Sequence, residues 1–440
     1  MASDHRIIFG DALEVLRRLD AESVDCCVTS PPYFNLRDYH VPGQIGLEAT
    51  IDEYVARLVE VFAEVRRVLA PWGTLAVNLG DSYAAQGGAH NGREDNQRGV
   101  GAKRVHLAGG GDAGLRTAPP GLKPKDLIGI PWRVAFALQA DGWWIRSDII
   151  WAKGISGEAT RNNGWCGSVM PESCKDRPTN SHEHIFLLSK APRYWYDHYA
   201  IQEDAKYPAG TKAAKGSKER KAEDGVNARP AEYATYSGKR NLRNVVTVSP
   251  RGFKGAHFAV FPLELPLMFL PAMCPPRVCS RCGKPWEHRV KKTGNKAGIC
   301  GGEHRETRRN GGLGPGRPRD YDAEAQIGMG RDLGYFRACA CHGRDLCSEV
   351  TRALKSEDDE ALAAIMAERD AIPDDTWRPG TVLDPFLGSG TTTQAARKLG
   401  RRSIGIELNR AYEQVMRQRL GCPEGALLQD VEFESADAAT

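Results

Sequence analysis

Asp384-Pro385-Phe386-Leu387-Gly388-Ser389-Gly390-Thr391-Thr392 follows a strand-like run, Gly380-Thr381-Val382-Leu383, and leads into a helical pattern from Thr392 to Leu399. Gly388 and Gly390 permit the tight turn and close backbone approach that a strand-to-helix ligand loop requires. The turn lacks the lysine and the spacing of a phosphate loop, which disfavours a nucleoside triphosphate. Downstream, Arg402-Ser-Ile-Gly-Ile-Glu407 reads as the next strand and ends in an acid suited to hold two ribose hydroxyls. A glycine turn together with an acid closing the neighbouring strand is a far stronger signal than the turn alone.

A second motif stands near the other end of the chain. Val24-Asp25-Cys26-Cys27-Val28 leads into Thr29-Ser30-Pro31-Pro32-Tyr33, so both motifs are expected at the carboxyl ends of parallel strands, where open α/β sheets bind ligands. The proline pair removes donors and stiffens the loop, so that Ser30 Oγ and the Pro31 carbonyl point outward as acceptors. Tyr33 adds a flat aromatic face.

Between these motifs the pattern alternates. Ile7 to Phe9 reads as a strand, Ala12 to Leu19 as a helix, and Ile51 to Leu69 as a helix with Tyr54, Leu58, Val61, Phe62, Val65 and Leu69 on one face, stopped at Pro71-Trp72-Gly73. Strands are expected at 74–79, 144–151, 183–189, 380–384 and 403–407, and a helix at 131–140. The polar, Gly-rich stretch 85–125 has no periodicity and is expected to be a mobile loop. The acidic run Glu357-Asp358-Asp359-Glu360 is expected within a helix.

Hydrophobic content of 41%, 26% charged residues and 440 residues allow a sizeable core. No apolar run reaches about 18 residues and no leader is evident, so a membrane span is not expected and a cytoplasmic location is. The net charge is only +4, but Lys and Arg crowd 206–254 and 281–319, as a polyanion partner would require.

The blocks Phe9-Gly-Asp-Ala-Leu-Glu-Val-Leu, Thr29-Ser-Pro-Pro-Tyr, Asn78-Leu-Gly-Asp-Ser-Tyr, Leu122-Lys-Pro-Lys-Asp-Leu, Arg146-Ser-Asp-Ile-Ile-Trp-Ala-Lys, Asp176-Arg-Pro-Thr-Asn-Ser-His-Glu-His and Gly255-Ala-His-Phe-Ala-Val-Phe-Pro join the Asp384 motif in one resemblance. The chain resembles the β-group DNA amino-methyltransferases of Ser-Pro-Pro-Tyr type. The resemblance implies a Rossmann-like α/β fold in permuted order, with the catalytic half encoded before the S-adenosylmethionine half. It implies methyl transfer to the exocyclic amine of a flipped base, with Ser30, Pro31, Pro32 and Tyr33 catalytic. Asp11 would meet the cofactor adenine. Asp384, Pro385, Phe386, Gly388, Ser389, Gly390 and Thr391 would meet its methionine part, Glu407 its ribose, and the block of His257 would close over it. Ser30 heading the tetrapeptide favours cytosine N4, with adenine N6 the alternative.

The implied partner is double-stranded DNA, held by Lys239, Arg240, Arg243, Arg251 and Lys254; a restriction endonuclease partner and a dimer are open. The implied partition is a catalytic half at 1–199, a target-recognition segment at 200–256, a cofactor-closing block at 257–273, an insertion at 274–348, a cofactor half at 349–420 and a tail at 421–440. Methylation of RNA or of protein glutamine is a rival, but those enzymes usually carry the cofactor loop first. A silent DNA-binding protein is another, against which Ser30, Tyr33, Asp384 and Glu407 all stand intact.

The insertion carries Cys279-Ser-Arg-Cys282 and Cys339-Ala-Cys341 among twelve cysteines. Two such pairs suit a four-thiolate structural zinc, with Cys274, Cys300, His342 and Cys347 as alternative ligands. His182 and His184 would share one face of a strand, where a packed or hydrogen-bonded role is favoured over a metal.

Overall fold

The computed structural model describes residues 4–84, 119–155, 166–167, 175–205, 238–250, 261–292, 330–421 and 430–436. They form two units, one from Met1–Asp197, Arg243–Val278 and Trp377–Thr440, the other from His198–Leu242 and Cys279–Thr376. Among the described residues no helix is long and apolar enough to cross a membrane. The expected loop 85–125 lies outside the described residues up to 118.

The first unit is built on a ten-stranded sheet: β1 (His5–Phe9), β2 (Val24–Thr29), β3 (Leu69–Leu79), β4 (Trp144–Ile155), β5 (Cys166–Gly167), β6 (His182–Ser189), β7 (Val245–Val248), β8 (Thr381–Asp384), β9 (Arg402–Glu407) and β10 (Val431–Ser435). Across the sheet the order is β10-β1-β9-β8-β2-β3-β6-β4-β5, with β7 beside β4. Every pairing from β10 to β3 is parallel, and β6 runs antiparallel to both its neighbours. Strands from the two chain ends therefore interleave in a mostly parallel, Rossmann-like sheet, because β9 and β8 insert between β1 and β2.

Alternation along the strands decides what each face covers. Ile8 joins the core that contains α1 (Ala12–Arg18), α2 (Ile51–Val68) and α3 (Ile130–Ala140), whereas Ile7 and Phe9 join Met416, Leu420 and Val431. Helix α2 starts at a capping box, Thr50 with Glu53, and buries Tyr54, Leu58, Val61, Phe62 and Val65. Each such side chain removed from water stabilises the fold by about 1.5–3 kcal/mol.

Four expectations change in detail. Helix α2 stops at Val68, and β3 begins at once with Leu69 rather than at Thr74. The pairing jumps from Val24 opposite Leu69 to Cys26 opposite Thr74, so Pro71 falls in an irregular stretch where its missing N–H costs little. Residues 421–440, expected as a tail, contain β10, which pairs with all of β1 and is held by Phe433 stacked near Phe9 and by Arg6 on Glu434. Val245–Val248, within the expected recognition segment, is a strand of the main sheet beside β4.

In the second unit, Glu287–Lys292 and Gly330–Phe336 form an antiparallel hairpin, followed by helices Leu346–Ser356 and Asp359–Asp370. The acidic run does not lie inside one helix. Glu357 takes a left-handed φ of 57° that closes the first helix, and Asp358 caps the second through the Ala361 N–H. Leu333, Phe336, Leu346, Val350, Leu362 and Ile365 make the small core.

Candidate active site

The two sequence motifs emerge side by side. In the β8–β2 ladder Val382 faces Cys26 and Leu383 faces Cys27, so Asp384 and Thr29 end adjacent strands. Thr29 Oγ1 donates to Asp384 Oδ1 at 2.6 Å, Thr392 Oγ1 donates to Oδ2 at 2.6 Å, and the Phe386 N–H donates to Oδ1 at 3.1 Å. Burial pushes the Asp384 carboxyl up to about 6 against the pull of these donors. Both of its oxygens are thus used to tie the Ser30 loop, the glycine turn and the following helix together.

The turn itself is shaped by its glycines. Gly388 and Gly390 have φ of 57° and 87°, and Gly390 opens α4 (Thr391–Lys398) without a side-chain cap. Gly405 on β9 is required for a different reason: a Cβ there would lie 2.4 Å from Leu387 Cδ2. Ser389 is buried, and its Oγ has no hydrogen-bond partner among the described residues. Pro385 and Thr391 are also buried, and Thr391 Oγ1 meets Arg419.

Glu407 ends β9 opposite Phe9 of β1. Its carboxylate accepts from the Gly388 and Asn409 N–H groups at 2.8 Å each, and burial, with the nearby Asp384 charge, pushes it up to about 7. Asp11, two residues beyond Phe9, caps α1 by accepting from the Leu13 and Glu14 N–H groups through Oδ1. Asp11, Glu407, Asp384 and Ser30 therefore stand in line at or just beyond the ends of four consecutive parallel strands, β1, β9, β8 and β2.

The Ser-Pro-Pro-Tyr loop is anchored at several points. Tyr54 Oη donates to the Pro32 carbonyl at 2.9 Å, and Pro31 is buried. Ser30 Oγ donates to the Asn78 carbonyl at 3.3 Å, a long bond that leaves the hydroxyl weakly held. The Tyr33 ring packs so closely on Gly80 that a Cβ at that position would lie 2.5 Å from it. Its hydroxyl donates to Glu183 Oε2 at 2.7 Å and accepts from Asn78 Nδ2 at 2.8 Å. Burial first, and then the Glu183 charge, raise the phenol well above its ordinary range and keep it a donor.

Asn78, Lys153 and Glu183 are what the sequence reading missed. Asn78 Nδ2 also donates to Glu183 Oε2 at 2.7 Å, Lys153 pairs with Glu183 Oε1, and Asn78 Oδ1 is buried without a partner among the described residues. All three lie in blocks that carry the resemblance, and β6 alternation was the usable signal: Glu183 must face away from His182 and His184. The histidines do share a face, with ring centres 5.1 Å apart. His184 meets Asp148 through Nδ1 at 3.0 Å and packs on Phe186 and Trp132.

A family model described as DNA methylase, covering N6 and N4 enzymes, matches residues 24–277 and 370–418. The chain belongs to this DNA methylase family. Its resemblance to the β-group amino-methyltransferases is thereby established, and the matched segments contain the Ser30 and Asp384 motifs and Glu407. The methylase is 44% identical over 256 residues to the Type II methyltransferase M.Cfr9I of Citrobacter freundii, covering 58% of this chain and 68% of the relative. It is 42% identical to M.SmaI of Serratia marcescens over 58% of this chain and 71% of that one. Similarity to M.SfiI of Streptomyces fimbriatus is lower, 29%, but spans 93% of this chain and 89% of the relative.

The remaining expected site residues of the methylase are dispersed. Lys239 pairs with Asp204 at 2.5 Å and Arg240 with Glu203 at 2.9 Å, across two short antiparallel strands. Each of these cations faces an acid across the ladder. Arg243 is exposed. Arg251, Lys254 and His257 lie outside the described residues. Cys279, Cys282, Cys339 and Cys341 converge, their sulfurs all within 4.8 Å of one another.

Proposed function

We propose that this methylase transfers a methyl group from S-adenosylmethionine to the exocyclic amine of a base flipped out of double-stranded DNA, with cytosine N4 the preferred target and adenine N6 the alternative. The observation that carries the reading is the hydrogen bond of Thr29 to Asp384. It joins the loop that would accept the amine to the turn that would hold the methyl donor.

The residues present suit that donor. Ser389 Oγ is buried with no partner among the described residues, the turn of Gly388 and Gly390 permits close backbone approach, and Glu407 offers a strand-end carboxylate to ribose hydroxyls. Asp11, just beyond the end of the next strand, would meet the adenine amine. Bound there, S-adenosylmethionine supplies an electrophilic methyl group on a sulfonium.

The rest falls to the chain. The lone pair of an exocyclic amine is conjugated into the base and is a poor nucleophile. Ser30 Oγ and the Pro31 carbonyl accept the amine hydrogens and draw the nitrogen toward tetrahedral geometry. Ser30 Oγ and the Pro31 carbonyl would hold the amine while its nitrogen takes the methyl group from the donor, left as a thioether, and until one of the amine protons passes to solvent. Glu183, Lys153 and Asn78 hold Tyr33 in one orientation before the base arrives, which removes an ordering cost from the reactive complex.

Lys239, Arg240 and Arg243, with Arg251 and Lys254, serve the DNA backbone in this reading. A cognate restriction endonuclease fits the Type II relatives. The test is to digest DNA methylated by the purified protein to nucleosides. N4-methylcytosine is the expected product, N6-methyladenine alone would move the target, and methylation confined to RNA or protein would sink the proposal.

A further inference from the structure

Cys279 and Cys282 belong to a turn that is already folded as a metal knuckle. The Gly283 N–H donates to the Cys279 carbonyl at 3.0 Å, the Cys279 N–H to the Lys284 carbonyl at 2.9 Å, and Gly283 takes a φ of 69°.

The second pair is held by a buried arginine. The Arg337 guanidinium donates to the His342 carbonyl at 2.9 Å and to the Arg344 carbonyl at 3.0 Å. It thereby shapes the loop that carries Cys339 and Cys341. Gly343 has a φ of 128°, a backbone conformation that L side chains rarely adopt, and it lies against the Arg337 guanidinium. Arg281 Nη1 reaches from the first turn to the Cys341 carbonyl at 3.3 Å.

We infer that Cys279, Cys282, Cys339 and Cys341 bind one structural zinc ion as four thiolates. A Zn–S bond of about 2.3 Å gives a tetrahedron with edges of about 3.8 Å, and four sulfurs all within 4.8 Å match that size. A multi-iron cluster would hold its cysteines farther apart. Among the described residues, the two other cysteines named as alternative ligands are otherwise engaged, while Cys300 lies outside the described residues. Cys347 donates to Glu287 Oε2 at 3.3 Å, and Cys274 lies beside Cys26 in the first unit. The ion would bind the start of the insertion to the end of its hairpin, supplementing a small hydrophobic core. On binding, each cysteine releases its thiol proton and zinc keeps its charge, so no redox partner is needed.

Metal analysis of the full-length protein purified without added metal should find about one zinc per chain. Cobalt exchanged into the site should show the absorption of a tetrahedral thiolate complex. Cys282→Ser and Cys341→Ser should each lose most of the zinc and open the second unit to protease, while Cys347→Ser keeps the full metal content. If the cysteine variants fail to fold, the metal content and cobalt spectrum of the unaltered protein still decide. Metal-free protein with four titratable thiols, two disulfides by mass, or iron in place of zinc would each overturn the inference. None of these readouts depends on methyl transfer.

Discussion

The strand ends of the first unit and the cysteine cluster of the second solve the same problem, bringing distant residues together, in opposite ways. At the strand ends the sheet performs the assembly: Val382, Leu383, Cys27 and Ile406 are fully buried, and their register sets Ser30, Asp384, Glu407 and Asp11 in line. In the proposed site the side chains divide between chemistry, as at Ser30, and holding the loops, as at Asp384. In the proposed zinc site the side chains would themselves be the long-range link. A site residue of the first kind should be removable with the fold intact, and one of the second kind should not.

The largest effect expected from this contrast is at Ser30. Ser30→Ala should lower kcat by roughly a hundredfold or more, with methyl-donor affinity and thermal stability little changed, because its hydrogen bonds to Asn78 are long. Calorimetric donor titration beside single-turnover kinetics would check this. A large loss of stability instead would place Ser30 among the structural residues.

Next comes Glu183. Glu183→Gln leaves Lys153 without its counter-charge and Tyr33 with a weaker acceptor, and kcat should fall by about tenfold to a hundredfold. Tyr33→Phe should lose less in the Glu183→Gln background than alone, since both changes remove the same bond. Strictly additive losses would mean that the 2.7 Å contact carries no coupling.

Third is the acid pair. Asp384 is pushed up to about 6 and Glu407 to about 7, burial being the leading cause of both. A carboxyl whose folded pKa is raised binds its proton more tightly in the folded chain than in the unfolded one. Both groups should therefore reduce stability as pH rises from about 4, the unfolded range, and the loss should level off above 7. Glu407→Gln should flatten the upper part of that curve in thermal unfolding. If ribose hydroxyls bind the ionised Glu407, donor affinity should rise through pH 7 in the native protein and stay flat in Glu407→Gln.

The smallest effect is at the surface. Arg240→Gln breaks an exposed pair with Glu203 and should change stability by under about 1 kcal/mol. The slope of log affinity for DNA against log salt should fall by about one unit. An unchanged slope would remove Arg240 from the DNA interface.

Legibility followed the range of the interactions. The strand leading to Asp384, the apolar face of helix α2 and Glu407 closing a strand were readable because apolar period is local. Strand β10 was not: Val-Glu-Phe-Glu-Ser carries little apolar surface, and only its partner β1 makes it a strand. Glu357 to Glu360 looked helical by composition, yet a left-handed residue and a cap divide it. The roles of Asp11 and Asp384 as holding groups, visible in their hydrogen bonds, could not be read from their positions in motifs.

By itself the sequence determined that two ligand loops follow parallel strands, that one ends in an acid-bearing βαβ unit and the other in a stiff acceptor loop, and that cysteine pairs flank a basic insertion. Those features are written in neighbouring residues, where glycine, proline and apolar spacing restrict the backbone directly. Only the tertiary structure decided that β8 lies against β2, that Thr29 bonds to Asp384 across 355 positions of the chain, and that Glu183, Lys153 and Asn78 close around Tyr33. Strand order and side-chain networks depend on which distant surfaces bury each other, and no local preference encodes that choice.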